Sequence, residues 1–385
     1  MRNGNTSYGS LAGMVAAALL GLSCLAAAQT LPARHIGPGK ILVKSKFGGP
    51  IFGYDIDRNG TEGILNEWQQ LQNGNVLSGV EIFDQKTGKI VKVLNKTDDQ
   101  TDQFEVLGVF DGGVGLVEHD RADSQGFIVK RMYDVVNPLS ANKYTGEWKP
   151  PHFNKNFIVT WVSVNQETST TAFLVLDNLG ANAKNYVIGS DIPKNTFGPL
   201  VKLTEPDLEP YNFPAIAIDT KTNTAVVAQA ASCTFGCNPE VALVDLVSGK
   251  ASYFTGVGLG LVGGIAVDSE DGIAATTTGS DGSIEFYDLK TQSGFTVLLP
   301  GAQGPIQSGT DVEFDPVHKL FLVGQPFGPN NDSFIQVYDP KANLIESVNF
   351  GGGGNTGLSF SYIALRPAQR SGFVNTPEGL RSFTY

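Results

Sequence analysis

The chain is 385 residues long, 41% hydrophobic and 17% charged, with 46 Gly and 20 Pro. Low charge with so many turn formers is the profile of an all-β protein cut by tight turns. Lys and Arg number 27 against 38 Asp and Glu, giving a net charge of −11 with no long acidic block; such a chain repels phosphate backbones and anionic lipid, which excludes a nucleic-acid partner.

At the N-terminus, Arg2 precedes the apolar run Leu11–Leu25, and Ala26-Ala27-Ala28 stands before Gln29. This pattern reads as a signal peptide over residues 1–28, cleaved after Ala28, which leaves 29–385 as one secreted or periplasmic domain. No later stretch approaches the roughly 20 apolar residues of a helical span, so the mature chain is expected to carry no transmembrane segment. Gly21-Leu22-Ser23-Cys24 loosely matches a lipobox, but Gly stands where Leu is usual. Lipid anchoring through Cys24 is therefore the minor alternative.

Next along the chain, Ile41–Lys46 reads as an isolated strand, and Asp55-Ile56-Asp57-Arg58-Asn59-Gly60 as a turn between strands. Alternating carboxylate and amide oxygens before a Gly bend could gather a calcium ion through Asp55, Asp57 and Asn59. Asn59-Gly60 is equally a type I′ hairpin signal. The twelfth loop position, where an EF-hand has Glu, is Asn66, with Glu67 one residue late.

From here a short apolar strand ending in Asp recurs: Val80–Asp84, Lys130–Asp134, Phe173–Asp177, Val241–Asp245, Ile284–Asp288 and Ile335–Asp339. The aspartates are 50, 43, 68, 43 and 51 residues apart, the length of a four-stranded blade. Each such strand is expected to be the third of its blade. Expected first strands, Ala215–Asp219, Gly264–Asp268, Asp311–Asp315 and Tyr362–Arg366, run in step with it. Turns such as Asp84–Lys89 place Gly where positive φ is needed and Asp where it can accept backbone amides, so the repeated Asp reads as structural.

Removing the leader leaves Cys233 and Cys237, in Cys-Thr-Phe-Gly-Cys, as an even pair in an oxidising compartment. A disulfide is expected; the spacing misses Cys-x-x-Cys, and the nearest His in sequence is His152. Towards the C-terminus, Tyr362–Leu365, Gly372–Val374 and Leu380–Phe383 supply three strands, and the strand near 41–46 would be the fourth that closes a ring. The expected fold is a β-propeller of four-stranded antiparallel blades, seven in number, with six as the alternative.

These strands and turns resemble the β-propeller repeat superfamily, above all its seven-bladed YVTN and lactonase-type members and more distantly the NHL repeats. Neither a YVTN tetrapeptide nor the Gly-His and Trp-Asp pairing of WD repeats is present. The resemblance therefore implies a fold and no one reaction. The expected function is that of a monomeric, exported binding module for a protein, glycan or small ligand. The insertions Asn137–Phe153 and Asn178–Pro214, with Trp148, Tyr144, Tyr186 and Tyr211, are its expected contact surfaces. The enzymatic alternative is a metal-dependent, lactonase-like hydrolase drawing on acidic or polar groups such as Glu67, His119, Asp311 and Glu313 around the central channel. A structural role in the cell envelope is a third possibility.

Overall fold

Strands with apolar residues at alternate positions must each find a partner for the buried face, and here every sheet finds two. The computed structural model describes residues 36–385 apart from 48–50, 73–74, 98–101, 111, 124–127, 152, 154–156, 167, 178–183, 205–214, 230–239, 258–261, 279–281, 302–310, 327, 353–361 and 377. The described residues form 28 strands in seven four-stranded antiparallel sheets. The innermost strands, in order, are Ile51–Ile56, Asp102–Phe110, Ile158–Val164, Ala215–Asp219, Val262–Asp268, Val312–Asp315 and Ile363–Arg366. Each packs against the next, and the seventh returns to the first. Six sheets use consecutive strands, innermost to outermost. The seventh, from Ile363 to Thr384, takes its outer strand from Gly37–Val43, which pairs antiparallel with Gly379–Thr384.

Buried apolar side chains divide into seven clusters, one for each junction between neighbouring sheets. At the junction of the seventh and first blades, Val43, Leu380 and Phe373 pack with Ile51, Tyr54, Leu65 and Phe83. No blade has a core of its own; each core belongs to two blades.

Asp84, Asp245, Asp288 and Asp339 act as turn caps, whereas Asp134, expected to end its strand, lies inside Ile128–Val136 and faces His119 instead. Asp84 accepts from the amides of Lys86 and Thr87 at 3.1 and 2.7 Å. Asp245 accepts from Val247 and Ser248, both at 2.8 Å, and Asp288 from Lys290 and Thr291 at 2.9 and 3.0 Å. Gly88 and Gly249 follow at φ of 70° and 71° and donate their amides back to the Asp84 and Asp245 carbonyls, the left-handed position that favours Gly.

In the third blade the expected register fails. Phe173–Leu176, before Asp177, belongs to the second strand, Thr170–Leu176, and the third is Asn185–Asp191. Placing the capping residue at Asp191 turns the gaps of 43 and 68 residues into 57 and 54. The strand escapes a search for bulky apolar runs because Gly189 and Ser190 stand before its Asp; a β-carbon on Gly189 would come 3.0 Å from Leu246 of the fourth blade. Asn178–Pro214 is consequently no insertion, since it holds the third and fourth strands of this blade.

The segment Asn137–Phe153 is likewise part of the ring. Tyr144–Glu147 is the outer strand of the second blade, and Trp148 is buried at the junction with the third, stacked on Phe173 at 4.2 Å. Its indole N–H donates to Ser190 Oγ at 3.2 Å. Tyr144 and Tyr186 are engaged with Asn95 and Asp177. Tyr211 and the pair Cys233 and Cys237 lie outside the described residues, as do residues 1–35 with the expected leader and Cys24.

Shared cores make the junction residues the most sensitive to truncation. Phe373, fully buried and edge-on to Phe83 at 6.2 Å, should cost about 3–5 kcal/mol when changed to Ala. Phe295→Ala, at a position half exposed on an outer strand, should change stability by about 0.5 kcal/mol or less. Chemical denaturation of the two variants checks the contrast.

Candidate ligand site in the central channel

Seven innermost strands standing around one axis leave side chains that face no neighbouring sheet, and these line a central cavity of about 640 Å³. Its wall mixes apolar and aromatic residues such as Trp161, Val317 and Tyr362 with polar ones such as Ser163, Asn165 and Gln166. Six acidic residues line it, Asp55, Glu105, Asp268, Glu270, Asp311 and Glu313, together with one guanidinium, Arg58.

Two of the carboxylates are fixed by backbone amides and tie adjacent blades together. Asp55 accepts from Ile56 at 2.7 Å through one oxygen and from Val109 of the second blade at 2.7 Å through the other. Asp311 does the same between the sixth and seventh blades, accepting from Val312 at 2.9 Å and Ile363 at 2.7 Å. An uncharged version of this strap joins the third and fourth blades, where Ser163 Oγ accepts from Ile218 at 3.1 Å.

Other contacts cross the channel between blades that are not neighbours. Arg58 of the first blade lies 3.5 Å from Glu313 of the sixth. Gln166 of the third reaches the Ile56 carbonyl of the first at 3.4 Å, as well as that of Val109 in the adjoining second blade at 3.2 Å, and its own oxygen accepts from the Arg58 amide at 3.4 Å. The rings of Trp161 and Tyr362, from the third and seventh blades, meet with centroids 6.5 Å apart.

Burial on the protein axis disfavours charge. It raises Asp55 to about 6, although the amides of Val109 and Ile56 and the nearby Arg58 pull the other way. Glu313 is raised to about 7, again by burial first, with Arg58 opposing and Asp55 reinforcing. Asp311 lies well above the ordinary carboxylate range through burial and the adjacent Glu313. Glu105 touches solvent inside the channel, but protein surrounds it, and its pKa is raised by burial and by Asp120.

Of the residues expected to carry chemistry, Asp55, Asp311 and Glu313 converge here. Asp57 does not: it caps the hairpin between the first two strands of its blade, accepting from the Asn59 amide at 3.0 Å, while the Gly60 amide bonds its carbonyl. Asn59 is exposed at the rim of the cavity. Glu67 lies off the channel, buried, and accepts from Ser45 Oγ and the amides of Lys46 and Phe47 at 2.9, 2.7 and 2.9 Å. His119 lies on a second strand between Asp102 and Asp134, against the Phe104 ring, and those carboxylates raise its pKa. His318 caps onto Asp315 at 2.8 Å; His35 and His152 lie outside the described residues. Among the described residues, no three or more His, Cys, Asp and Glu side chains group closely enough to hold a metal ion. Sequence reasoning missed Glu105, Arg58, Trp161 and Tyr362 as channel groups. The available signal was a lone charge in an apolar innermost strand, as in Phe104-Glu105-Val106.

No protein-family model and no curated protein matches this sequence. Among solved structures, Sqt1 from Chaetomium thermophilum is similar, with a TM-score of 0.54 at 11% identity over 91% of this chain and 100% of that one. At that identity the likeness is one of fold. Ring, blades and shared cores define the class: this chain is a seven-bladed β-propeller.

A second acidic pair bears on stability. Glu81, fully buried in the first blade with Lys46 Nζ 3.7 Å away, is raised to about 7 by burial and by neighbouring Glu67. For Asp55, Glu313 and Glu81 the folded state keeps protons that the unfolded chain, with values near 4, releases. Their contribution is complete below about pH 4 and is lost as pH rises to 7 and beyond. The turn aspartates Asp84, Asp245 and Asp288 lie below the usual range, held down by hydrogen bonds from Thr87, Ser248 and Thr291, and they lose stabilisation as pH falls through their folded values. The melting temperature should therefore decline from pH 5 to pH 8. Glu81→Gln should flatten that decline and raise the melting temperature at pH 8. A steeper decline in the variant would contradict this assignment.

Proposed function

We propose that this propeller is an exported binding module that takes a small ligand in its central channel. The observation that carries the reading is the axial cavity of about 640 Å³, whose polar groups come from several blades and alternate with apolar and aromatic side chains. That volume falls in the ~300–1,000 Å³ range of small-molecule pockets, and a few placed polar groups among apolar side chains are what such pockets use for orientation. Export is supported by Arg2, the Leu11–Leu25 run and the small residues before Gln29.

A lactonase-like hydrolase is the second reading, favoured by one observation: Asp55 and Glu313 are raised to about 6 and 7, near the pH at which a general acid or base works best. The metal-dependent form of this reading requires a divalent ion. Melting in calcium and in chelator separates the two, because a resident calcium ion makes the melting temperature chelator-sensitive. Under the binding reading, chelator leaves it unchanged.

The binding reading is tested by a thermal-shift screen of cationic, anionic and neutral small molecules against the wild-type protein and a Trp161→Ala/Tyr362→Ala variant. Channel ligands should raise the wild-type melting temperature by about 2 °C or more at saturating concentration and should lose most of that effect in the variant. Hits that shift both proteins equally, or an empty screen, would sink the channel as the binding site.

A further inference from the structure

We propose that the ligand of the channel is an organic ammonium cation, held between the acidic groups of the wall and the Trp161 and Tyr362 rings. This rests on the channel being the binding site and goes further by naming the chemistry of the occupant.

The first argument is charge. Six acidic residues line the cavity against one guanidinium. Asp55 and Asp311 are each tied to two backbone amides, one of them on the next blade, so they cannot swing out to bulk water. Arg58 approaches Glu313 at 3.5 Å, longer than the ~2.7–2.9 Å of a charge-assisted hydrogen bond, and neutralises it incompletely. An anionic ligand would meet this excess of negative potential, and a neutral one would leave it uncompensated. A cation compensates it.

The second argument is shape. Tyr362 is 43% exposed although it stands at the axis, so its ring presents area to the open chamber. Trp161 lies against it and also lines the cavity. Aromatic faces beside carboxylates attract alkylated and primary ammonium groups by cation–π and ion-pair interactions together. The carboxylates are distributed around a large cavity, and no close cluster of three ligating side chains occurs among the described residues. An organic cation can touch several dispersed groups at once; a bare ion, which needs its ligands at one point, is served less well.

The third argument is the cost of keeping these carboxylates charged away from bulk water. Asp55, Asp311, Glu313 and Glu105 all have raised pKa values with burial as the leading cause. A cation placed among them lowers those values, so binding near pH 6.5 must release protons.

The test is calorimetric titration of the full-length mature protein at low salt with 1,5-diaminopentane and with tetramethylammonium, against glutarate, glucose and calcium chloride, at pH 6.5 in two buffers of different ionisation heat. The inference expects at least one ammonium probe to bind with proton release and to weaken as salt is raised. Glu313→Gln should weaken that probe about tenfold, and Arg58→Met should tighten it severalfold by removing the competing cation. Opposite signs at two touching positions cannot come from a general loss of folding. Failure of both amines at millimolar concentration overturns the inference, as does preferential binding of glutarate, glucose or calcium. The channel reading survives those failures if the screened hits still depend on Trp161 and Tyr362, and it falls separately if they do not.

Discussion

A four-stranded sheet with two apolar faces cannot be satisfied by one neighbour, and this requirement governs the whole molecule. Stacking sheets in a row would always leave two faces in water; bending the row into a ring leaves none. The seven apolar clusters are the physical form of that solution, because each is built by two blades and each blade contributes to two clusters. Closure also needs a fourth strand for the last blade, and the chain supplies it from Gly37–Val43.

The channel follows from the same geometry. Strands that splay outward from an axis converge there, and their inward side chains have no sheet to pack against. Polar residues at those positions serve two purposes. Asp55 and Asp311 close seams between blades through backbone amides while keeping carboxylate edges on the cavity. Their burial keeps them reluctant to ionise, so the residues that brace the ring also make its interior electrostatically demanding.

Most of the architecture was legible in the sequence because strand alternation and turn chemistry are local. The Asp at the end of a strand and the Gly four residues later, as in Asp84 and Gly88 or Asp245 and Gly249, announce a turn without reference to anything distant. The third blade departs from the expected register where a distant residue bears on the matter: a β-carbon at position 189 would crowd Leu246 at 3.0 Å, and the Gly that avoids this interrupts the apolar run. Trp148 was misassigned to a surface for a similar reason, since its stacking partner Phe173 belongs to another blade. The site was the least legible part. Asp311 and Glu313 could be named as acidic channel residues, but the meetings of Arg58 with Glu313 and of Trp161 with Tyr362 join residues 255 and 201 positions apart. No local pattern encodes such a pairing; it exists only once the ring has closed.

That closure imposes an order of events on biosynthesis. Gly37–Val43 is made before the innermost strand of the first blade, yet its partner Gly379–Thr384 follows the innermost strand of the seventh. Throughout elongation the first strand has an unpaired edge, and the first blade has an uncovered face. Six blades can collect in sequence as the ribosome delivers them, but the ring does not close until Gly379–Thr384 arrives. The propeller is therefore vulnerable until its seventh blade is made, and a chain that stops short of Gly379 is left an open arc with two sticky ends.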